Sequence, residues 1–95
     1  MKVIELDLNG CADWDDLHER IRKAFGFPTW YGKNWDAFWD LLWSECEADK
    51  VIIKGEQTMP SAFSEHLKIM HETLEDHVSF CEQHGYPPFS YEVID

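Results

Sequence analysis

Lys50-Val51-Ile52-Ile53-Lys54 is the stretch on which the fold turns, three consecutive β-branched residues held between two lysines. Such side chains crowd a helix and suit the pleated backbone of a strand. A short apolar run with no polar residue alternating inside it is the pattern of a central strand in a parallel sheet. Parallel neighbours need crossover connections, so helices are expected before and after it. Upstream, Val3 to Leu8 sets Ile4, Leu6 and Leu8 on one side and Glu5 and Asp7 on the other, which reads as a first strand. Downstream, after Pro87-Pro88, Phe89, Tyr91 and Val93 alternate with Ser90 and Glu92 as a closing strand.

The segments between these strands carry helical spacing. Asp13 is placed to cap a helix in which Leu17, Ile21, Ala24 and Phe25 recur, and Gly26 suits its end. The stretch from Phe27 to Lys33 has proline and glycine punctuation and reads as a loop in spite of its aromatics. Asn34 then caps a second helix running to about Ser44. From Pro60 to His84, Phe63, Leu67, Met70, Leu74, Val78 and Cys81 recur every three or four residues, as one long helix or two stacked ones, closed by Gly85. The expected fold is α/β, a three-stranded parallel sheet packed by about three to four helices in the order β, α, α, β, α, β, with residues 1–95 forming a single domain.

Charge limits what such a domain can bind. Nineteen acidic residues against eight basic ones leave a net charge of −11, which repels nucleic acid and anionic membrane surfaces as direct partners. No hydrophobic run exceeds three residues, and Glu5 and Asp7 interrupt the place where a signal peptide needs its apolar stretch. Three cysteines without CxxC spacing suit reduced thiols, so a cytoplasmic location is expected.

The second helix holds the informative pattern. Trp35, Phe38 and Leu42 form one apolar stripe, which a core explains. Asp36, Trp39, Asp40 and Trp43, at i, i+3, i+4 and i+7, form another, in which carboxylates alternate with indoles. Beside the loop aromatics Trp30 and Tyr31, this composition reads as an exposed recognition face for a cationic protein. The plainer alternative is that Asp36 serves the helix dipole, Asp40 is solvated and the tryptophans are half buried.

The residues Pro28-x-Trp30-Tyr31-Gly32-x-Asn34-x-Asp36-Ala37-x-Trp39-Asp40-x-Leu42 resemble the signature of the barstar family of intracellular ribonuclease inhibitors. The resemblance implies a parallel sheet packed by helices, and a loop and second helix that plug the active site of a secreted basic ribonuclease. It places Asp40 at the aspartate that enters the phosphate pocket, Asp36 at its flanking acid, and Gly32, Asn34 and Trp39 at contact or framing positions. Trp30 stands where the best-known member has tyrosine, Lys33 replaces an acid, Trp43 replaces a small polar residue, and Glu45 takes the place of a tryptophan. An acid of the last helix is also implied. Aligning Leu74-Glu75-Asp76 gives Asp76, whereas counting back from Gly85 gives Phe80.

No glycine-rich phosphate loop, GxSxG or HExxH occurs, so an enzyme is not expected. His77, Cys81 and His84 sit at i, i+4 and i+7, a spacing open to metal binding, yet Cys81 belongs to the apolar period and no metal or cofactor is expected. His18, His66 and His71 carry no readable spacing, and Asp15 and Glu19 read as surface acids away from the recognition face. The leading expectation is an inhibitor of a basic ribonuclease. The alternative is an interaction or immunity module for another cationic protein or toxin.

Overall fold

The computed structural model describes residues 2–94. Strand β1 (Val3–Asp7), helix α1 (Trp14–Phe25), helix α2 (Trp35–Glu45), strand β2 (Lys50–Lys54), helix α3 (Ser64–Gln83) and strand β3 (Ser90–Ile94) follow in that order, with short 3-10 turns at Glu56–Thr58 and Ser61–Phe63. The strands form one parallel sheet in the order β1-β2-β3, with Ile4, Val51 and Tyr91 in register. The Lys50–Lys54 stretch is therefore the central strand, as its composition requires.

Local signals set the helix ends. The Asp13 carboxylate accepts the Asp16 amide at 2.7 Å, and the Asn34 side-chain oxygen accepts the Ala37 amide at 2.7 Å, each satisfying an otherwise orphaned donor. Gly26 closes α1 at φ 71°, a left-handed conformation that glycine adopts without a Cβ penalty. Gly55, just after β2, is needed for a different reason: a Cβ there would stand 2.5 Å from the Asn9 backbone nitrogen.

All three helices bury their apolar residues in the cluster that holds Ile4, Leu6, Val51 and Ile53, so they share one face of the sheet. The other face of the central strand is left uncovered. Ile52 lies on the open face, in register with Glu5 and Glu92, and is only half-buried. Lys54 reaches across to Glu5 at 3.2 Å and Lys50 reaches the other way to Glu92 at 3.2 Å. Lys50 and Lys54 share that face with Ile52, two residues to either side along β2, and their ammonium groups reach the glutamates. Exposed pairs of this kind add at most about 1 kcal/mol each, but they make the uncovered face polar. The closing strand departs from its expected alternation at one point. Tyr91 is packed against α3 near His71 and Glu75, but Val93 on the edge strand is 40% exposed.

The loop aromatics divide between core and solvent. Phe27 and Tyr31 turn inward to join Phe25 and Phe38, with ring centroids 5.2 to 5.5 Å apart along the series Phe38, Phe25, Phe27, Tyr31. The Tyr31 hydroxyl is 2.7 Å from Nδ1 of His18, a fully buried imidazole on α1 that its sequence spacing left without a role. The Trp14 indole N–H donates to the Lys33 carbonyl at 3.0 Å, so α1 grips the loop at two points. The second grip holds Lys33 at φ 52°, a conformation costing about 1 kcal/mol for a non-glycine residue.

Burial pushes the His18 imidazole down to about 4, helped by the positive fields of His66 and Lys33 and opposed by Asp15. The folded chain therefore keeps His18 neutral through the range in which the unfolded chain, near 6.5, takes up a proton. Stability should fall as pH drops from about 6.5 to 4. Urea unfolding at pH 7 and pH 4.5 should show the wild type losing about 2 kcal/mol more than His18→Gln between the two conditions. Equal losses would mean that His18 titrates alike in the folded and unfolded chain.

Candidate functional site

The outer face of α2 and the loop before it form a continuous surface. Trp30 is 71% exposed at the loop's outermost point. Gly32 follows, and a side chain there would press at 3.3 Å on both Ala37 Cβ and the Asn34 amide nitrogen, so the bare glycine lets the loop close onto the start of α2. Asn34 fixes that closure from both ends: its side chain donates to the Gly32 carbonyl at 3.1 Å and accepts the Ala37 amide. Asp36 and Asp40 are exposed one turn apart on α2, Trp39 is half-buried between α2 and α3, and Trp43 is 50% exposed.

Tyr31 does not belong to this surface. The expectation that it contacts a partner is corrected by its burial: it is 4% exposed, its ring in the core and its hydroxyl on His18. Its place is to anchor the loop from which Trp30 projects. No periodicity exists in a six- or seven-residue loop to distinguish an inward aromatic from an outward one, and the partner that decides the matter, His18, is thirteen residues away.

The last helix supplies a second wall. Phe80 stands edge-on to Trp39 at 5.9 Å and tilted against Trp43 at 6.2 Å. Phe80 lies off the apolar period of α3, which leaves its ring free to form this wall. Asp76 is exposed one turn before Phe80, four residues away and hence on the same side of α3. Its neighbour Glu75 turns to the sheet instead and accepts a hydrogen bond from the Tyr91 hydroxyl at 3.0 Å. Burial, together with that carboxylate, pushes the Tyr91 phenol up to about 12. Of the two acids, Asp76 shares the Phe80 side of the helix.

Charge on this surface is one-sided. Arg20 pairs with Asp16, Arg22 with Glu19, Lys50 with Glu92 and Lys54 with Glu5. Lys33, which replaces an acid in the loop, is held by Asp15 at 2.7 Å and lies 3.9 Å from Glu19. Asp15 and Glu19 are therefore partners of the loop rather than acids remote from it. Among the described residues, Asp36, Asp40 and Asp76 enter no ion pair. Three unpaired carboxylates thus stand among exposed or half-exposed indoles, an arrangement suited to cations presented by another protein.

The histidine and cysteine spacing on α3 does not assemble into a ligand set. Cys81 Sγ lies 3.7 Å from His77 Nε2, but the exposed His84 packs its ring on Phe80 at 4.4 Å. Among the described residues no three such donors are grouped to hold a metal ion.

The family model described as Barstar (barnase inhibitor) matches residues 1–91 of the 95-residue chain. With the three-stranded parallel sheet, the three helices and the capped loop before α2 in place, the chain belongs to the barstar family.

Proposed function

We propose that this protein inhibits a basic ribonuclease of the secreted type by seating the outer face of α2 in its active site. The observation that carries this reading is the set of unpaired carboxylates on that face, in a chain whose loop lysine and four further bases are already held in ion pairs. A ribonuclease must bind phosphate, so its site presents arginine, lysine and protonatable histidine side chains in a concave pocket. Asp40 takes the place of the phosphate in that pocket and Asp36 flanks it. Trp30, Gly32, Asn34, Trp39 and Trp43 frame the contact, and Asp76 closes it from α3. No catalytic group is required of the inhibitor. Its three cysteines are free, two of them buried, which fits work in a reducing cytoplasm where it would protect the cell that makes the nuclease.

Inhibition of barnase by the purified chain is the direct test. Asp40→Ala should weaken binding by more than about 2 kcal/mol, roughly thirtyfold in Kd, because it strands the partner's buried cations. The side chain of Asp40 makes no hydrogen bond or ion pair among the described residues, and thermal unfolding should be nearly unchanged. Equal affinity of the two chains would remove Asp40 from the contact. Failure of the wild type to bind would favour the other reading, a barstar-fold module for a different cationic protein, in line with Trp43, Glu45 and Lys33 at altered positions.

The net charge of −11 also sets how the partner is found. Opposite fields act over a Debye length of about 8 to 10 Å near physiological salt, so the association rate should fall steeply as salt is added. The dissociation rate should change much less, since the contacts it breaks are short-range and desolvated. Stopped-flow kinetics at several salt concentrations separates the two. An association rate indifferent to salt would show that the acidity does not steer the encounter.

A further inference from the structure

Beyond Trp43 the recognition surface does not end on flat protein. A cleft of about 240 Å³ opens between the end of α2, the last turns of α3 and the segment leading into β3. Pockets for drug-sized ligands run from about 300 to 1,000 Å³, so this one has room for a single side chain rather than a cofactor. Its floor is apolar, from Leu42, Cys46, Cys81 and Phe89. Its walls include Trp43 and Tyr86, which are 50% and 52% exposed. Phe80 ties these walls together, its ring 6.2 Å from Trp43 and 5.7 Å from Tyr86, so the cleft continues the aromatic ridge that begins at Trp39.

The charged groups that line the cleft are carboxylates. Glu47 is exposed and, among the described residues, enters no ion pair. The Asp49 carboxylate is set in place by the Lys2 amide, which donates to it at 2.8 Å. His77 is buried against the cleft with its Nδ1 lacking a hydrogen-bond partner among the described residues, and burial holds its imidazole below the usual value and hence neutral at pH 7. Among the described residues no lysine or arginine lines the cleft, and the charge of Lys2 reaches Cys46 only from outside it.

We infer that this cleft is a socket for an arginine side chain of the cationic partner, a second anchoring point on the recognition face that rests on the reading proposed above. The size admits one long side chain, and the apolar floor takes its methylene stem. A planar guanidinium stacks on indole and phenol faces while its edge donates to carboxylates at the mouth, which a compact ammonium does less well. An aliphatic side chain would bring no charged partner for Glu47 and Asp49 into the cleft, and the absence of three grouped metal donors among the described residues argues against an ion.

The test uses N-acetyl-arginine methylamide as the probe and the neutral citrulline analogue as its control, each titrated into the full chain and followed by two-dimensional NMR. The arginine probe should produce saturable shifts at the Trp43 indole N–H and at His77, with a Kd in the millimolar range. The citrulline analogue should bind at least tenfold more weakly. Glu47→Gln and Tyr86→Ala should each weaken the arginine probe at least threefold with the remaining spectrum intact; Glu47 is exposed, so its variant reports even where Tyr86→Ala unfolds. Absence of saturable shifts at Trp43 and His77, or equal binding of the neutral analogue, would overturn the socket. Because the probe needs no ribonuclease, a chain that inhibits barnase but ignores the probe loses only the socket. A chain that binds the probe and no ribonuclease keeps the socket for a different cationic protein.

Discussion

One face of a three-stranded sheet has to accept three helices, and this constraint organises the molecule. Each helix can turn only a single stripe toward the sheet, and the stripes meet in one cluster around Leu6, Val51, Ile53 and Phe38. A chain with 15% aromatic residues then has more large side chains than that cluster can enclose. Phe25, Phe27, Phe38 and Tyr31 fill it near the start of α2, and Trp30, Trp43 and Tyr86 are left in water. Leaving a tryptophan half exposed forgoes part of the gain from burying its large ring, so such side chains mark a surface that burial by a partner would stabilise.

The charges are distributed to match. Lysines on the open sheet face each pair with one glutamate of a neighbouring strand, and the α1 arginines pair along their own helix. The one lysine introduced into the recognition loop is folded back onto Asp15. Among the described residues, what remains without a counter-ion includes Asp36, Asp40 and Asp76 around the aromatic ridge and Glu47 at its far end. Isolated in water these acids repel one another weakly, whereas against a cationic pocket with water excluded each interaction strengthens. The preorganisation comes from behind. His18 and Trp14 on α1 hold the loop, Asn34 caps α2, and Phe80 buttresses both tryptophans, so the surface is built before any partner arrives.

Much of this was legible in the sequence because it rests on local chemistry. The β-branched run at Val51–Ile53, the caps Asp13 and Asn34, the terminating glycines and the i, i+3, i+4, i+7 stripe on α2 are all decided within a few residues, and the signature around Trp39-Asp40 pointed to the family. The rest depends on partners distant along the chain. Tyr31 turns inward because His18 waits for it, Lys33 is neutralised by Asp15, and Ile52 is left on an open face because all the crossovers pack on the opposite side. Glu75 and Asp76 look equivalent in sequence and are separated only by Tyr91 on β3. The cleft beside Trp43 joins α2, α3 and the approach to β3, three segments that no local pattern connects.

The central claim is that the α2 carboxylates replace phosphate in a ribonuclease pocket, and a double-mutant cycle addresses it most directly. Asp40→Ala in this chain would be combined with alanine at an active-site arginine of barnase, and the four affinities measured by the same inhibition assay. The account predicts a coupling energy of at least about 1 kcal/mol, since each change removes the other's partner. A coupling near zero, with both single changes costing affinity, would contradict it by placing Asp40 and the phosphate-binding arginine in separate parts of the interface.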